Sequence, residues 1–291
     1  MFKKIKKHIA LTLELGKVKI TFFVAVSTSV GYVFHSGKID LTMFLIASGV
    51  FLLACGSSAL NHYQERLSDA LMDRTKGRPI PSGRVLPLYA LLTSAGLTIS
   101  GLIVIYLFSN VTSAVLGVIA LIWYNIIYTP LKKKYALAVV PGSVIGAIPP
   151  IIGWTASGGS PFDLTILSLA FFFFIWQIPH FWLLLLLFNK DYEKAGFPTL
   201  TKIFTNLQLG RITFTWIAAL ATSCIMIPLY SMSSSIYAIV VMVLLGIWLL
   251  FETSSILSEY LERVTFRKAF LRINLYVLAV VLVISLDKLL I

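Results

Sequence analysis

The chain has 291 residues, of which 58% are hydrophobic and only 12% are charged, with a formal net charge of +12 and a mean hydropathy of +0.90. A typical soluble domain carries about 25% charged residues, so this composition excludes an ordinary soluble protein and indicates an integral membrane protein. The basic residues are scattered over short segments between apolar runs. That distribution argues against a nucleic-acid partner and favours membrane lipid and anionic substrates.

Apolar segments of about 20 residues, the length that crosses a bilayer as a helix, recur along the whole chain. Helices are expected because backbone groups in lipid must hydrogen-bond within their own segment. We predict nine spans, at about 18–34, 42–64, 86–108, 111–128, 136–155, 162–188, 213–230, 235–256 and 270–288. They form a single membrane domain over residues 1–291, with residues 1–17 as a cytoplasmic tail. The basic N-terminus resembles that of a signal peptide, but no small-residue cleavage site follows, so we expect a retained first span.

The positive charges divide sharply between the two sides of this arrangement. With the N-terminus in the cytoplasm, the cytoplasmic segments contain 22 of the 24 Lys and Arg residues. Only Lys38 and Lys288 remain for the far side. The positive-inside rule therefore predicts an N-in, C-out topology in the cell membrane. The long polar loops also lie on the cytoplasmic side, where we expect the active site.

Three oxygen-bearing side chains recur every four residues where the second span ends. At about 100° per residue, Asn61, Glu65 and Asp69 fall within about 80° of one another on one helical face. Such hard oxygen ligands suit Mg²⁺, which usually binds through one or two carboxylates plus substrate phosphates. Asp73 is displaced by about 120° from Asn61 and is a weaker candidate ligand. The alternative interpretation is a solvated helix end with alternating charges.

Glycines and prolines interrupt the helix directly after these candidate ligands. The runs 77–79 and 81–83 contain two glycines and two prolines and predict a loop. Arg74, Lys76 and Arg78 lie in or beside this loop. Their charges predict contacts with a diphosphate group.

A second constellation lies in the sixth span and in the loop that follows it. Trp176, Gln177 and His180 form a polar and aromatic cluster inside an apolar helix, where polar groups are usually functional. His180 is a candidate substrate-pocket residue or general base, although a satisfied core histidine is the alternative. Asp191 is a candidate second metal ligand. It follows His180 by eleven residues, about three helical turns, so the two are expected to share a face.

A third constellation ends the fourth span. It begins at Tyr124 and Asn125 and continues through Tyr128 and Thr-Pro-Leu to three lysines, of which Lys132 is the first. Topology alone explains part of this positive charge, and Lys132 is also a candidate phosphate contact. The Gly- and Pro-rich run 141–154 predicts a broken or closely packed helix, because small residues permit close helix contact.

These motifs together resemble the UbiA superfamily of intramembrane prenyltransferases, and within it the branch that acts on haem. The resemblance covers most of the chain, and its motifs are the Asn61, Glu65 and Asp69 set and the segments 72–79, 128–132, 176–182 and 191–196. This chain departs from the common pattern at two places. Glu65 stands where an Asp is usual, and His180 and Leu187 stand where other members carry a second acidic motif.

The resemblance implies an all-α bundle around a central cavity that opens to the cytoplasmic face. It implies Mg²⁺-dependent transfer of a farnesyl group from farnesyl diphosphate to a vinyl group of haem B, which gives haem O. Asn61, Glu65, Asp69 and Asp191 would bind the metal. His180 and Lys132 become candidate contacts to haem and to its propionates, and haem A synthase or terminal-oxidase assembly factors become candidate protein partners.

Two alternatives remain. One is a superfamily member that prenylates an aromatic quinone precursor. The other is a small-molecule transporter, which would place its functional polar residues near the bilayer midplane, often in repeated halves. The sequence has no clear internal repeat, and its polar motifs gather at one side of the membrane.

Overall fold

A computed structural model of the protein describes residues 2–231, 235–258 and 263–290. Over these ranges the chain is helical and contains no strand. Within the same ranges nine helical segments are long and apolar enough to cross a membrane, which confirms the predicted number and order of spans. The observed bounds are Val18–Ser36, Leu41–Leu71, Pro87–Phe108, Val111–Leu131, Val139–Ala156, Leu164–Leu187, Asn206–Tyr230, Ile236–Leu257 and Val264–Leu290.

Several spans are built from more than one helix. The first half of the chain contains α1 (Phe2–Leu15), α2 (Val18–Ser36), α3 (Leu41–Leu71), α4 (Pro87–Phe108), α5 (Val111–Ile122), a π-helix (Trp123–Tyr128) and α6 (Thr129–Leu131). The second half contains α7 (Val139–Gly142), α8 (Val144–Ala156), α9 (Leu164–Leu187), α10 (Asn189–Lys194), α11 (Asn206–Ser223), α12 (Met226–Tyr230), α13 (Ile236–Thr253) and α14 (Arg263–Leu290). Two short 3₁₀ turns occupy Leu200–Lys202 and Ser254–Leu257.

The helix α3 is longer than the sequence predicted. It begins at an N-cap in which the Asp40 carboxylate accepts a hydrogen bond from the backbone N–H of Met43 at 2.9 Å. It continues to Leu71 rather than ending near residue 64. The candidate ligands from Asn61 to Asp69 therefore lie on one uninterrupted helix.

Two glycines allow α2 and α8 to approach closely. A Cβ atom at Gly31 would lie 1.9 Å from the carbonyl oxygen of Pro150, and a Cβ atom at Gly153 would lie 1.9 Å from that of Thr28. Neither position can accept a larger residue without moving a backbone. The small residues of the 141–154 run thus provide the close helix packing expected of them.

The largest buried cluster lies between α9, α11, α13 and α14, where Phe172, Ile217 and Tyr276 are fully buried. A second cluster joins α3, α4 and α8 through Leu53, Ile105 and neighbouring aliphatic side chains. Many other large apolar side chains are exposed on the outside of the bundle, as expected of a surface that faces lipid.

The segment before the first span is the amphipathic helix α1. Leu11 and Leu15 are buried, whereas Ile9 and Leu13 on its other face are exposed. Glu14 accepts two hydrogen bonds from the Arg84 guanidinium, at 2.6 and 2.7 Å. The predicted tail is therefore a folded helix that is fastened to the loop after α3, and its location in the cytoplasm stays a prediction.

Candidate active site

A cavity of about 280 Å³ lies between α2, α3, the π-helix, α8 and α9. One end is polar and charged, and the remainder is apolar. The charged side chains that line it are Lys17, Glu65, Asp69, Arg74, Arg78 and Lys132. The apolar lining includes Val24, Val50, Leu53, Leu121, Ile145, Ile152, Phe181 and Leu184. From Asp69 to Val50 the lining extends along about 28 Å of α3, at 1.5 Å per residue.

The predicted ligand face of α3 is turned into this cavity. Asn61, Glu65 and Asp69 all line the cavity, and their relative exposures are only 1%, 5% and 0%. Buried carboxylates need compensating partners, because an unpaired buried charge is very costly. Those partners are cations from three other parts of the chain.

Two of these partners form buried ion pairs. The Arg78 Nη1 atom lies 2.7 Å from each carboxylate oxygen of Asp69. The Lys132 Nζ atom lies 2.6 Å from Glu65 Oε1, as an ion pair rather than an aligned hydrogen bond. Burial alone would lower the pKa of Lys132, but Glu65 together with the neighbouring tyrosine side chains more than offsets this effect, and the pKa is raised above its usual value.

The third cation, Lys17, was not among the predicted site residues. It donates a hydrogen bond to the Asn61 side-chain oxygen at 3.0 Å, from a turn between α1 and α2. Its backbone is left-handed, with φ 47° and ψ 49°, which is uncommon for a residue other than glycine. Burial, reinforced by the charge of Arg78, lowers the pKa of Lys17 to about 7. The sequence had offered Lys17 only as one more topology-setting charge.

The donor set fits a hard cation that shares a diphosphate. From α3, one amide and two carboxylate groups line the cavity, beside four cations from other segments, so the charged lining has a net charge of +2. Among the described residues, no three His, Cys, Asp or Glu side chains converge as a metal cluster. A Mg²⁺ ion at this face would therefore need substrate oxygens to complete its octahedral shell.

Arg74 connects this site to the segment that follows α9. Its backbone N–H donates to the Asp191 carboxylate at 3.1 Å, and its guanidinium lies 4.7 Å from the centre of the Phe188 ring. Arg74 and Tyr192 line the cavity, but Asp191 is not part of the lining. The structure thus brings Asp191 beside the α3–α4 loop, where it orders the backbone of that loop.

The expectation that His180 and Asp191 share a helical face was wrong. It assumed one continuous helix, but α9 ends at Leu187 and the chain turns at Phe188, with φ −122° and ψ 23°, before α10 begins at Asn189.

Asp73 and Lys76 lie outside the cavity. Asp73 is exposed and forms ion pairs with Lys194 and with Lys76, the latter at 2.9 Å. The hydrogen bond from Lys194, together with the contact to Lys76, lowers the pKa of Asp73 to about 2. The Asp73–Lys194 pair links the segment after α3 to the end of α10. Of the two predicted cations Lys76 and Arg78, only Arg78 lines the cavity.

The three predicted residues of α9 do not all face the cavity. Gln177 lines the cavity, whereas Trp176 and His180 do not. The Nδ1 atom of His180 lies 2.8 Å from the Asn274 side-chain oxygen on α14. The imidazole ring packs between Trp176 and Phe270, at centroid distances of 5.0 and 4.9 Å.

The end of the fourth span supplies the opposite wall. Tyr124 and Tyr128 line the cavity together with Lys132. The Lys132 Nζ atom lies 5.4 Å from the centre of the Tyr128 ring, and this ring lies 6.3 Å from that of Phe181 on α9. Tyr124 begins the third constellation of the sequence but, like Lys17, was not named among the predicted site residues.

Residues 24–276 match the model of the UbiA prenyltransferase family. The chain belongs to this family. Among curated UbiA-family relatives, it is 37% identical over 220 residues to the protoheme IX farnesyltransferase of Geobacter sulfurreducens, which covers 76% of this chain and 81% of the relative. It is 32% identical to the protoheme IX farnesyltransferase of Nitratidesulfovibrio vulgaris, over 97% of this chain and 96% of the relative.

Solved structures of UbiA proteins share the fold. A digeranylgeranylglyceryl phosphate synthase superposes with a TM-score of 0.79 at 18% identity, over 98% of this chain and 100% of the other. A UbiA homologue from Archaeoglobus fulgidus bound to GPP and Mg²⁺ superposes with a TM-score of 0.67 at 14% identity, over 97% and 100% of the two chains. The all-helical UbiA architecture predicted from the sequence is thereby confirmed for this multi-pass membrane protein.

Proposed function

We propose that this UbiA prenyltransferase transfers the farnesyl group of farnesyl diphosphate to a vinyl group of haem B and so produces haem O. The proposed prenyl donor is supported by the cavity. Its cationic end matches the diphosphate group of a prenyl diphosphate, and its long apolar interior matches the prenyl chain. The acceptor is supported by relatives named protoheme IX farnesyltransferase, one of which aligns with 97% of the chain.

Lys17, Arg78 and Lys132 would bind and orient the diphosphate. Each of them is paired with an oxygen-bearing side chain on α3. Binding would exchange partners, so that the cations turn to the diphosphate while the oxygens of α3 become available to a metal ion. Bound Mg²⁺ would then supply charge neutralisation to the departing diphosphate.

The proposed reaction begins when the C1–O bond of farnesyl diphosphate breaks and its electron pair leaves with the diphosphate. The side-chain cations stabilise this charge as it develops. The vinyl π electrons of haem B then form the new carbon–carbon bond. Water captures the resulting cation beside the porphyrin ring and loses a proton to solvent, which gives the hydroxyethylfarnesyl side chain.

Aromatic and aliphatic side chains would protect the allylic cation before it is captured. Tyr124, Tyr128 and Phe181 surround the apolar space next to the charged end. Gln177 is the one amide on the α9 side of the lining, opposite Asn61. We assign Gln177 to the acceptor side, and His180 with Trp176 to the support of α9 against α14.

The active site would face the cytoplasm of a cell membrane, with an odd number of spans placing the two termini on opposite sides. The charge distribution supports this orientation, because the segments nearest the cavity mouth carry most of the Lys and Arg residues. Alkaline phosphatase fused after residue 291 should be active, whereas the same enzyme fused within the 190–211 segment should be inactive. The reverse pattern would overturn the orientation.

The activity can be tested with purified protein in lipid nanodiscs. Haem B, farnesyl diphosphate and Mg²⁺ should yield haem O, identified by chromatography and mass spectrometry, and chelation of Mg²⁺ should stop its formation. Prenylation of 4-hydroxybenzoate with no haem product would move the chain to the quinone-precursor alternative. Absence of diphosphate release with either acceptor would contradict the prenyltransferase assignment to this cavity.

A further inference from the structure

The fourth span changes its winding where it reaches the cavity. The backbone N–H of Thr129 donates to the carbonyl of Tyr124, an i→i+5 bond, and the α pattern resumes when Lys132 N–H donates to Tyr128. One extra residue in the turn gives Lys132 the position that residue 131 would otherwise have. Tyr124 and Lys132 then lie about 20° apart around the axis rather than about 80°. Both side chains line the same cavity, and the altered winding brings them into closer alignment there.

A proline explains why this winding needs outside support. In the π-helix the carbonyl of Asn125 would accept from residue 130, but that residue is Pro130 and has no N–H. The carbonyl instead accepts a hydrogen bond from Gln64 Nε2 on α3, at 2.9 Å. An unpaired buried carbonyl would cost free energy, so this contact from α3 stabilises the altered winding.

The Asn125 side chain completes the connection. Its oxygen accepts from the Ser57 hydroxyl at 2.6 Å, and its amide nitrogen donates to the Ser57 carbonyl at 3.0 Å and to Gln64 Oε1 at 3.1 Å. Asn125 is only 1% exposed and does not line the cavity. Ser57 and Gln64 are seven residues apart on α3, about two turns, and therefore lie on one face.

We propose that Asn125 is a positioning residue for the prenyl-transfer site, acting with Gln64 and Ser57. This inference rests on the proposed function. The three residues fix the rotation of the π-helix against α3, and that rotation sets Lys132 opposite Glu65. Asn125 acts through Lys132 and touches no substrate, so its removal should weaken diphosphate binding more than it slows the chemical step.

The test compares Asn125→Leu and Gln64→Met with a matched control at the other end of the same span. Asn110 caps α5 and donates to the Thr155 carbonyl at 2.6 Å, so Asn110→Leu also removes helix-connecting hydrogen bonds, but far from the charged end. Each variant in nanodiscs is titrated with magnesium pyrophosphate by calorimetry, and its KM for farnesyl diphosphate and its kcat are measured. The melting temperature of each variant is also recorded.

We expect about tenfold weaker pyrophosphate binding and a comparable rise in KM for Asn125→Leu and Gln64→Met, with a smaller change in kcat. Asn110→Leu should bind pyrophosphate within about twofold of wild type even if it melts at a similarly lowered temperature. Unchanged pyrophosphate affinity in both site variants would overturn the positioning role. If Asn125→Leu does not fold, Gln64→Met decides the question alone.

Failure of the proposed function would look different. If the wild-type protein forms no haem O but binds magnesium pyrophosphate with the predicted dependence on Asn125 and Gln64, the positioning role stands and the acceptor is wrong.

Discussion

The buried pair of Glu65 and Lys132 should behave asymmetrically when it is broken. Their charged atoms lie 2.6 Å apart, with side-chain exposures of 6% and 19%. Glu65→Gln leaves four cavity cations facing one carboxylate, and removal of one partner of a buried pair costs about 3 kcal/mol at the low end of measured values. Lys132→Met should cost less, about 2 kcal/mol, because Lys17 and Arg78 still act on the Glu65 carboxylate.

The double variant removes both charges and should also cost about 2 kcal/mol, which corresponds to a coupling energy of about 3 kcal/mol. In thermal unfolding, Glu65→Gln should lower the melting temperature by roughly 6–12 °C. Activity should not follow stability, because each of the three variants lacks the proposed metal ligand Glu65, the proposed diphosphate-binding cation Lys132, or both. We expect each to lose at least about 10²-fold in haem O formation.

The pH dependence of the coupling energy between Glu65 and Lys132 follows from the pKa of Lys132. Because the pKa of Lys132 is raised in the folded protein, its contribution to stability is complete below the ordinary lysine pKa of about 10.4 and is lost only above it. The cycle should therefore give the same coupling at pH 5 and pH 6, which lie below both the ordinary lysine pKa and the pKa of about 7 of the neighbouring Lys17. Additive costs in the double variant would refute the ion pair, and wild-type activity in that variant would refute its catalytic role.

Three further outcomes are expected. Asp69→Asn should reduce prenyl transfer by about 10²- to 10³-fold in nanodiscs with intact far-UV dichroism, and wild-type turnover would remove Asp69 from the metal site. Leu53→Ala, which opens the apolar end of the cavity, should raise the ratio of geranylgeranyl to farnesyl transfer, whereas the lipid-facing Leu92→Ala should leave that ratio unchanged. Since the pKa of Asp73 is lowered to about 2, its contact with Lys194 is complete above the ordinary Asp pKa of about 3.9 and is lost as the pH falls toward 2. Asp73→Asn should therefore leave the pH–rate profile between pH 5 and 8 unaltered, and a shifted profile would contradict its position outside the cavity.

The spans were predictable because hydrophobic length is a strong and local signal. Backbone groups in lipid leave helices as the simplest solution, so counting apolar runs gave the number and order of helices. The boundaries were less predictable at the site itself. Helix α3 continues to Leu71 because its charged face is covered by the loop between α3 and α4 and by the end of the fourth span. The polar residues from 61 to 69 therefore line a cavity inside the protein and do not mark the end of the helix.

The ligand face of α3 was predictable for a related reason. A spacing of four residues within one helix depends only on helical geometry, and Asn61, Glu65 and Asp69 needed no knowledge of the rest of the fold. The pairing of His180 with Asp191 failed because Phe188 breaks the helix between them, and the sequence has no glycine or proline at that point to signal a break.

Residues that reach the cavity from other elements could not be found this way. Lys17 reaches the cavity from a left-handed turn, and its side chain bonds to Asn61, which lies 44 positions away in the sequence. Neither fact can be read from the residues around Lys17. Tyr124 and Lys132 line one wall, and the altered winding between them brings the two side chains about 20° apart around the helix axis. A regular period of 3.6 residues would have placed them about 80° apart, so the sequence could not show this closer alignment.

The amphipathic helix α1 leads directly into the turn that brings Lys17 to the cavity. The side chain of Leu15 on α1 is fully buried in the bundle. Glu14, which lies two residues before the turn that contains Lys17, accepts a hydrogen bond from Arg84. A fusion partner or an affinity tag joined close to the first span would disturb the same turn that holds Lys17 against Asn61 in the cavity. Preparations of this protein should therefore carry their tags at the C-terminus, and a loss of activity after N-terminal trimming would not by itself indicate a misfolded membrane domain.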